Sequence, residues 1–158
     1  NAAFVKGANV IDYVLTQKNV STKPLIFPAY RYGGGIAYRG PLLWNKTNSD
    51  YLTSKGLNRT NSHTSRARWV AMFGPTEKDG GKAATVAILC HPKNHDAPQH
   101  IRTWDNGKVF FNYVPIQETA WSIKPGETVT LRYRLVILDG QVGAKTLEAR
   151  WKTYTKQN

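Results

Sequence analysis

The chain has 158 residues, 41% of them hydrophobic and 20% charged, the size and composition of one globular domain with a substantial core. No apolar run reaches the ~18 residues of a membrane-spanning helix, and Cys90 stands alone, which excludes a transmembrane helix, an internal disulfide scaffold and a zinc ribbon. The 22 basic and 10 acidic residues give a net charge of +12, a pull on polyanions that identifies no partner.

That charge is uneven. Residues 1–76 contain only Asp12 and Asp50 as acids, whereas the second half is more balanced. The early basic residues (Lys18, Lys23, Arg31, Arg39, Lys46, Lys55, Arg59) are spaced singly, not clustered with aromatics on one element. This reads as a solvated basic face, or as one side of a larger assembly, and disfavours nucleic acid as the partner. The chain starts at Asn1 and enters strand-like sequence almost at once, so further sequence is expected upstream.

In chain order the pattern is β-rich. Strands are expected over 9–17, 25–39, 67–73, 83–90, 100–104, 108–114, 119–123 and 127–138. Thr47–Ser65 is polar, a surface excursion or a lid. Gly74–Lys82 reads as a long hairpin loop, and Asn106-Gly107 as a tight hairpin turn. Ala83–Cys90 is apolar on both faces, the signature of a central strand covered on both sides. Across Thr128–Asp139, Leu131, Tyr133, Leu135 and Ile137 alternate with Arg132, Arg134, Val136 and Leu138. Ala144, Leu147, Trp151 and Tyr154 recur at helical spacing, with Glu148 four residues before Lys152. The expected fold is an all-β antiparallel sandwich of about eight to ten strands, residues 1–141, followed by an amphipathic helix and tail, residues 142–158.

The densest chemical segment is Cys90–Arg102, CHPKNHDAPQHIR. His91 and His95 have the spacing of a helical metal pair, but Pro92 and Pro98 deny them a helix, so no metal or other cofactor is assigned. His91 is the candidate acid–base residue, because imidazole titrates near neutral pH. The alternative is that it merely hydrogen-bonds the turn. Cys90 reads as a buried, inert thiol. Gly33-Gly34-Gly35 lacks the ending of a phosphate loop and marks a bulge or a close backbone approach. Around it Tyr32, Tyr38, Arg39 and Trp44 are equipment for a sugar site, aromatic faces beside planar donors, or else core packing. Asn19, Asn45 and Asn58 open glycosylation sequons.

Taken together, YGGGIAYRG (32–40), ARWVAMFGP (67–75), AILCHPKNHDAPQHIRTW (87–104), FFNYVPIQ (110–117) and PGETVTLRYRLVILDG (125–140) resemble a bacterial family of unknown function whose members carry the label "methane oxygenase PmoA". The likeness spans roughly residues 25–141. A true methane monooxygenase subunit lies in the membrane, and this sequence has no such span. The resemblance implies that the chain is the C-terminal half of an exported, periplasmic protein, half of a mutarotase-like supersandwich. It implies that a carbohydrate or sugar-derived ligand is bound or processed together with the N-terminal half, which supplies a histidine pair. Carried onto this sequence, it gives His91 as a catalytic residue and Tyr32, Arg39, Asn94 and Arg102 as ligand-binding residues. The alternatives are a non-catalytic assembly module and, more weakly, a polyanion-binding domain. From the short connection between their strands, His91 and Arg102 are expected within about 10 Å of each other, in one concavity with Tyr32 or Arg39.

Overall fold

A computed structural model describes residues 2–5 and 7–156. The described chain forms β1 (Ala2–Phe4), β2 (Ala8–Lys18), β3 (Leu25–Phe27), β4 (Ala37–Arg39), β5 (Asp50–Thr53), β6 (Trp69–Pro75), β7 (Ala83–Cys90), β8 (His100–Arg102), β9 (Phe110–Val114), β10 (Trp121–Ile123), β11 (Thr128–Asp139) and α1 (Ala144–Thr155). A six-stranded sheet runs β1-β2-β11-β7-β6-β5 and a three-stranded sheet runs β4-β9-β8, while β3 and β10 form a separate pair. Every pairing is antiparallel. The expected all-β sandwich with a C-terminal helix is the architecture observed, with eleven strands. None of the described helices is long and apolar enough to cross a membrane.

Alternation along the strands builds two cores. Val70, Met72, Val86, Ile88, Cys90, Leu131 and Tyr133 of the large sheet meet Ile101, Phe111 and Tyr113 of the small one. The intervening residues Trp69, Ala71, Ala87, Leu89, Val136 and Leu138 face the other way, onto Leu147 and Tyr154 of α1. The layers are therefore helix, six-stranded sheet, three-stranded sheet. Each large apolar side chain so buried contributes about 1.5–3 kcal/mol. β7 lies between β11 and β6 with residues 85–90 buried, the doubly covered strand its composition predicts.

Three local expectations need correction. The run 25–39 is not one strand, because Pro28 and the glycines interrupt it and β3 and β4 join different sheets. The polar excursion 47–65 contains β5, an edge strand paired with β6. The Asn106-Gly107 turn is not a tight hairpin. Arg102 pairs with Asn112, leaving residues 103–109 as a wide loop. The Arg59 guanidinium holds that loop open by donating to the Trp104 and Lys108 carbonyls at 3.2 and 3.4 Å. Glu148, four residues before Lys152 on α1, also reaches the sheet, accepting hydrogen bonds from Trp69 Nε1 at 2.8 Å and Arg68 Nη2 at 3.1 Å. Burial alone would raise its pKa, but these donors outweigh burial and hold the carboxyl below its usual range.

Of the candidate sugar-site aromatics, Trp44 is a core residue and Tyr38 is partly buried against that core. Trp44 is 6% exposed and donates to the Pro75 carbonyl at 2.7 Å. Its ring fits because positions 40 and 74 are glycine: a Cβ there would come within 2.9 and 2.8 Å of it. Tyr38 packs against Trp44 and Phe111. Of the sequon asparagines, Asn19 is buried, its amide donating to the Lys23 and Ile123 carbonyls.

Candidate functional site

His91 follows Cys90 at the end of β7 and continues its alternation with Ala87 and Leu89, so it points to the helix side. Its ring lies edge-on to Tyr154 with centroids 5.4 Å apart, and it is 1% exposed. Nδ1 accepts the Lys93 N–H at 3.1 Å, so the proton of the neutral ring sits on Nε2. Asn94 is also committed to the fold. Its Oδ1 accepts the Arg132 N–H at 2.7 Å and its Nδ2 donates to the Arg132 carbonyl at 2.8 Å. One side-chain amide thus stands in for the backbone that β7 would supply if it ran on beside β11.

Within the same loop Arg66 pairs with Asp96 at 3.0 Å and donates to the Asp96 and Pro98 carbonyls. Gln99 bridges the His95 carbonyl and the Tyr133 hydroxyl. His95 stacks on Trp121, centroids 4.2 Å apart and planes 7° from parallel. The segment richest in chemical side chains therefore spends most of them on its own shape. Cys90 is buried as expected, and burial pushes its thiol up to about 12.

Arg102 takes the other direction. The chain crosses between layers within residues 91–99, because β8 belongs to the small sheet and not to the edge of β7. Ile101 faces the core, so His100 and Arg102 emerge on the outer surface of the small sheet. His91 and Arg102 consequently lie on opposite sides of the six-stranded sheet, and the expected common concavity does not form. Asn94 stays with His91. Tyr32 and Arg102, by contrast, do come together, while Arg39 lies farther along the same sheet, over Phe110.

The outer surface carries a continuous aromatic and arginine ladder. The Arg102 guanidinium carbon lies 4.6 Å from the Tyr32 ring centre and 5.6 Å from that of Trp104. Trp104 meets Phe110 at 4.8 Å, and Arg39 covers Phe110 at 5.0 Å. Arg31 lies over Tyr32 at 5.2 Å. The glycines make this possible. A Cβ at Gly33 would stand 2.1 Å from Ile116, and one at Gly35 would stand 2.5 Å from the Tyr133 hydroxyl. Only a bare backbone lets the Tyr30–Gly35 segment lie this close to β9 and carry Tyr32 over Arg102. The close approach expected of the triple glycine is what it does.

Polar groups on this face are buried without partners. Arg102 is 8% exposed and Asn112 7%. They are cross-strand partners, so their side chains share the surface. Arg102 Nε, Asn112 Oδ1 and Gln117 Oε1 have no hydrogen-bond partner among the described residues. Beside them His100 places Nδ1 2.9 Å from the Thr64 carbonyl and Nε2 2.9 Å from Glu118 Oε2. Trp104, Phe110, Asn112 and Gln117 escaped the sequence reading. The alternation in FFNYV could have put Phe110 and Asn112 on one face, but not shown which face lay outside.

On the helix side a cavity of about 600 Å³ is floored by Val10, Val136 and Ala149 and rimmed by Asp12, Arg134 and Lys145. Asp12 and Arg134 pair across it at 2.6 Å. None of the five site residues expected from the sequence lines it.

The placement of His91 predicts a pH response. Burial, with help from the Arg132 and Lys93 cations, lowers its pKa, so the unfolded chain takes up this proton first. The stabilisation is present above the unfolded value of about 6.5 and is lost as pH falls below it. His95 shifts the same way, chiefly through burial. The melting temperature is expected to drop between pH 7 and pH 5, and to drop less in His91→Asn, which keeps an acceptor for Lys93 but cannot titrate. An equal drop in both proteins, followed by calorimetry, would refute the assignment.

The family model of DUF6807, described as a family of unknown function, matches residues 2–152. No curated protein and no solved structure shows significant similarity to the chain. With nearly its whole length matched, the chain belongs to the DUF6807 family.

Proposed function

We propose that the outer face of the three-stranded sheet binds a carbohydrate or sugar-derived ligand. One observation carries this reading: Arg102, nine-tenths buried against Tyr32 and Trp104, makes no hydrogen bond or ion pair with the described protein. A second buried arginine shows the contrast. Arg59 also lies over a tyrosine ring, but it donates to the Ser49 carbonyl and hydroxyl at 2.8 and 2.9 Å and to two further carbonyls. Arg59 is a strut, whereas no described acceptor engages the in-plane donors of Arg102. Aromatic faces stack on the apolar side of a sugar ring, and donors beside them meet its hydroxyls.

In this reading the protein is an exported, periplasmic member of the group labelled PmoA, and the sugar site works together with the N-terminal half that the resemblance implies. The large sheet offers that half an apolar margin, since Phe4, Ile11 and Tyr13 are 73%, 39% and 41% exposed on the side the small sheet leaves uncovered. The role is binding. His91, the acid–base candidate, faces away from the platform.

Glycan-array screening of the full-length protein followed by calorimetric titration tests the reading. Tyr32→Ala is expected to weaken the best sugar about tenfold, roughly 1.4 kcal/mol. The melting temperature should fall by only a few degrees, since Tyr32 is 46% exposed and loses chiefly its contacts to Arg102 and Tyr30. Retention of no glycan, or an unchanged affinity in Tyr32→Ala, would leave the fold as a non-catalytic assembly module.

A further inference from the structure

We infer that the ligand of this face carries a carboxylate, as in a uronic acid, and that Arg102 receives it; the inference rests on the sugar-binding reading above. Three arginines, Arg31, Arg39 and Arg102, border the platform and each lies over an aromatic ring. None of them forms an ion pair with a described carboxylate. Glu118, an acid on this face, already contacts His100. Stacking occupies the flat faces of a guanidinium and leaves its edge, with the parallel N–H pair, for a planar anion. Keeping a nine-tenths buried cation with no counter-charge is costly unless an anion completes it.

The rest of the face selects among anions. Asn112 Oδ1 and Gln117 Oε1 are buried acceptors with no described donor. A phosphodiester chain presents acceptors and would leave both unmet. A hydroxylated acid presents a carboxylate to Arg102 and hydroxyl donors to the two amide oxygens. The face is also compact, with one buried arginine, unlike the basic track that follows a nucleic acid backbone.

Titration of the full-length protein decides the matter. The probes are glucuronate, galacturonate and mannuronate oligomers, the same oligomers reduced to neutral sugars, a hexose 6-phosphate, and oligo-thymidine. At least one uronate oligomer is expected to bind about tenfold or more tighter than its reduced form. Arg102→Met should erase that preference, and Arg102→Lys should retain part of it. The comparison of acidic with neutral probes uses the native chain and stands even if Arg102→Met does not fold. Equal binding of acid and neutral forms overturns the carboxylate and leaves the sugar reading intact. A hexose phosphate bound tighter than every uronate also overturns it. Failure of all sugars overturns both readings, and so does oligo-thymidine bound as tightly as the uronates with a steep salt dependence.

Discussion

Trp69→Ala is expected to lower the unfolding free energy by about 3–5 kcal/mol, the usual cost of emptying a large aromatic site in a core. In a chain of this size that is a fall of roughly 10 °C in melting temperature. Trp69 is 1% exposed on the helix side of β6. Its neighbours at 71 and 87 are alanines in the same cluster, too small to fill the space it would leave. The substitution also removes one of the two donors to Glu148, the indole N–H at 2.8 Å, and leaves it only Arg68 at 3.1 Å. The helix should therefore loosen with the core, and urea unfolding followed by far-ultraviolet circular dichroism should show helix and sheet signals parting. Trp69→Phe keeps most of the volume and loses the hydrogen bond, for about 1 kcal/mol. A Trp69→Ala protein within 1 kcal/mol of the parent would show that α1 does not depend on this contact.

Asn94→Ala should be the next most damaging, at about 2–3 kcal/mol, although it removes only a small polar side chain. The Arg132 N–H donates to Asn94 Oδ1 and loses its partner when the amide is removed. A buried donor left alone costs about 1–3 kcal/mol. The Arg132 carbonyl suffers less, because it also accepts the His91 N–H at 3.2 Å. This separates two roles for Asn94. As a strut it lowers stability and leaves sugar affinity unchanged at temperatures where the protein is folded. As a ligand contact it would do the reverse, and chemical denaturation measured beside calorimetric titration tells them apart.

The sequence by itself determined the periodic elements. The two-faced alternation of β11, the double coverage of β7 and the helix after Gly143 follow from side chains that must be buried on known sides, and all are observed. The burial of Cys90 follows from residue type, and of the two readings the glycines allowed, a bulge or a close approach, Gly33 and Gly35 make the close approach.

What only the tertiary structure decided was which sheet each short strand joins. HIR and FFNYV are compatible with either sheet, because three to five residues of alternating pattern fix two faces but not a neighbour. β8 joined the small sheet, and that single choice put Arg102 on the outer surface while His91, eleven positions earlier, went beneath the helix. The candidate set divided accordingly. Tyr32 and Arg102 met through the close packing of the glycine segment on β9, Arg39 was set over Phe110 by the pairing of β4 with β9, and His91 and Asn94 were drawn into the end of the large sheet. Asn94 reads in sequence like any polar loop residue. Its role exists only because Arg132, 38 residues away, has a backbone edge that β7 stops too early to satisfy.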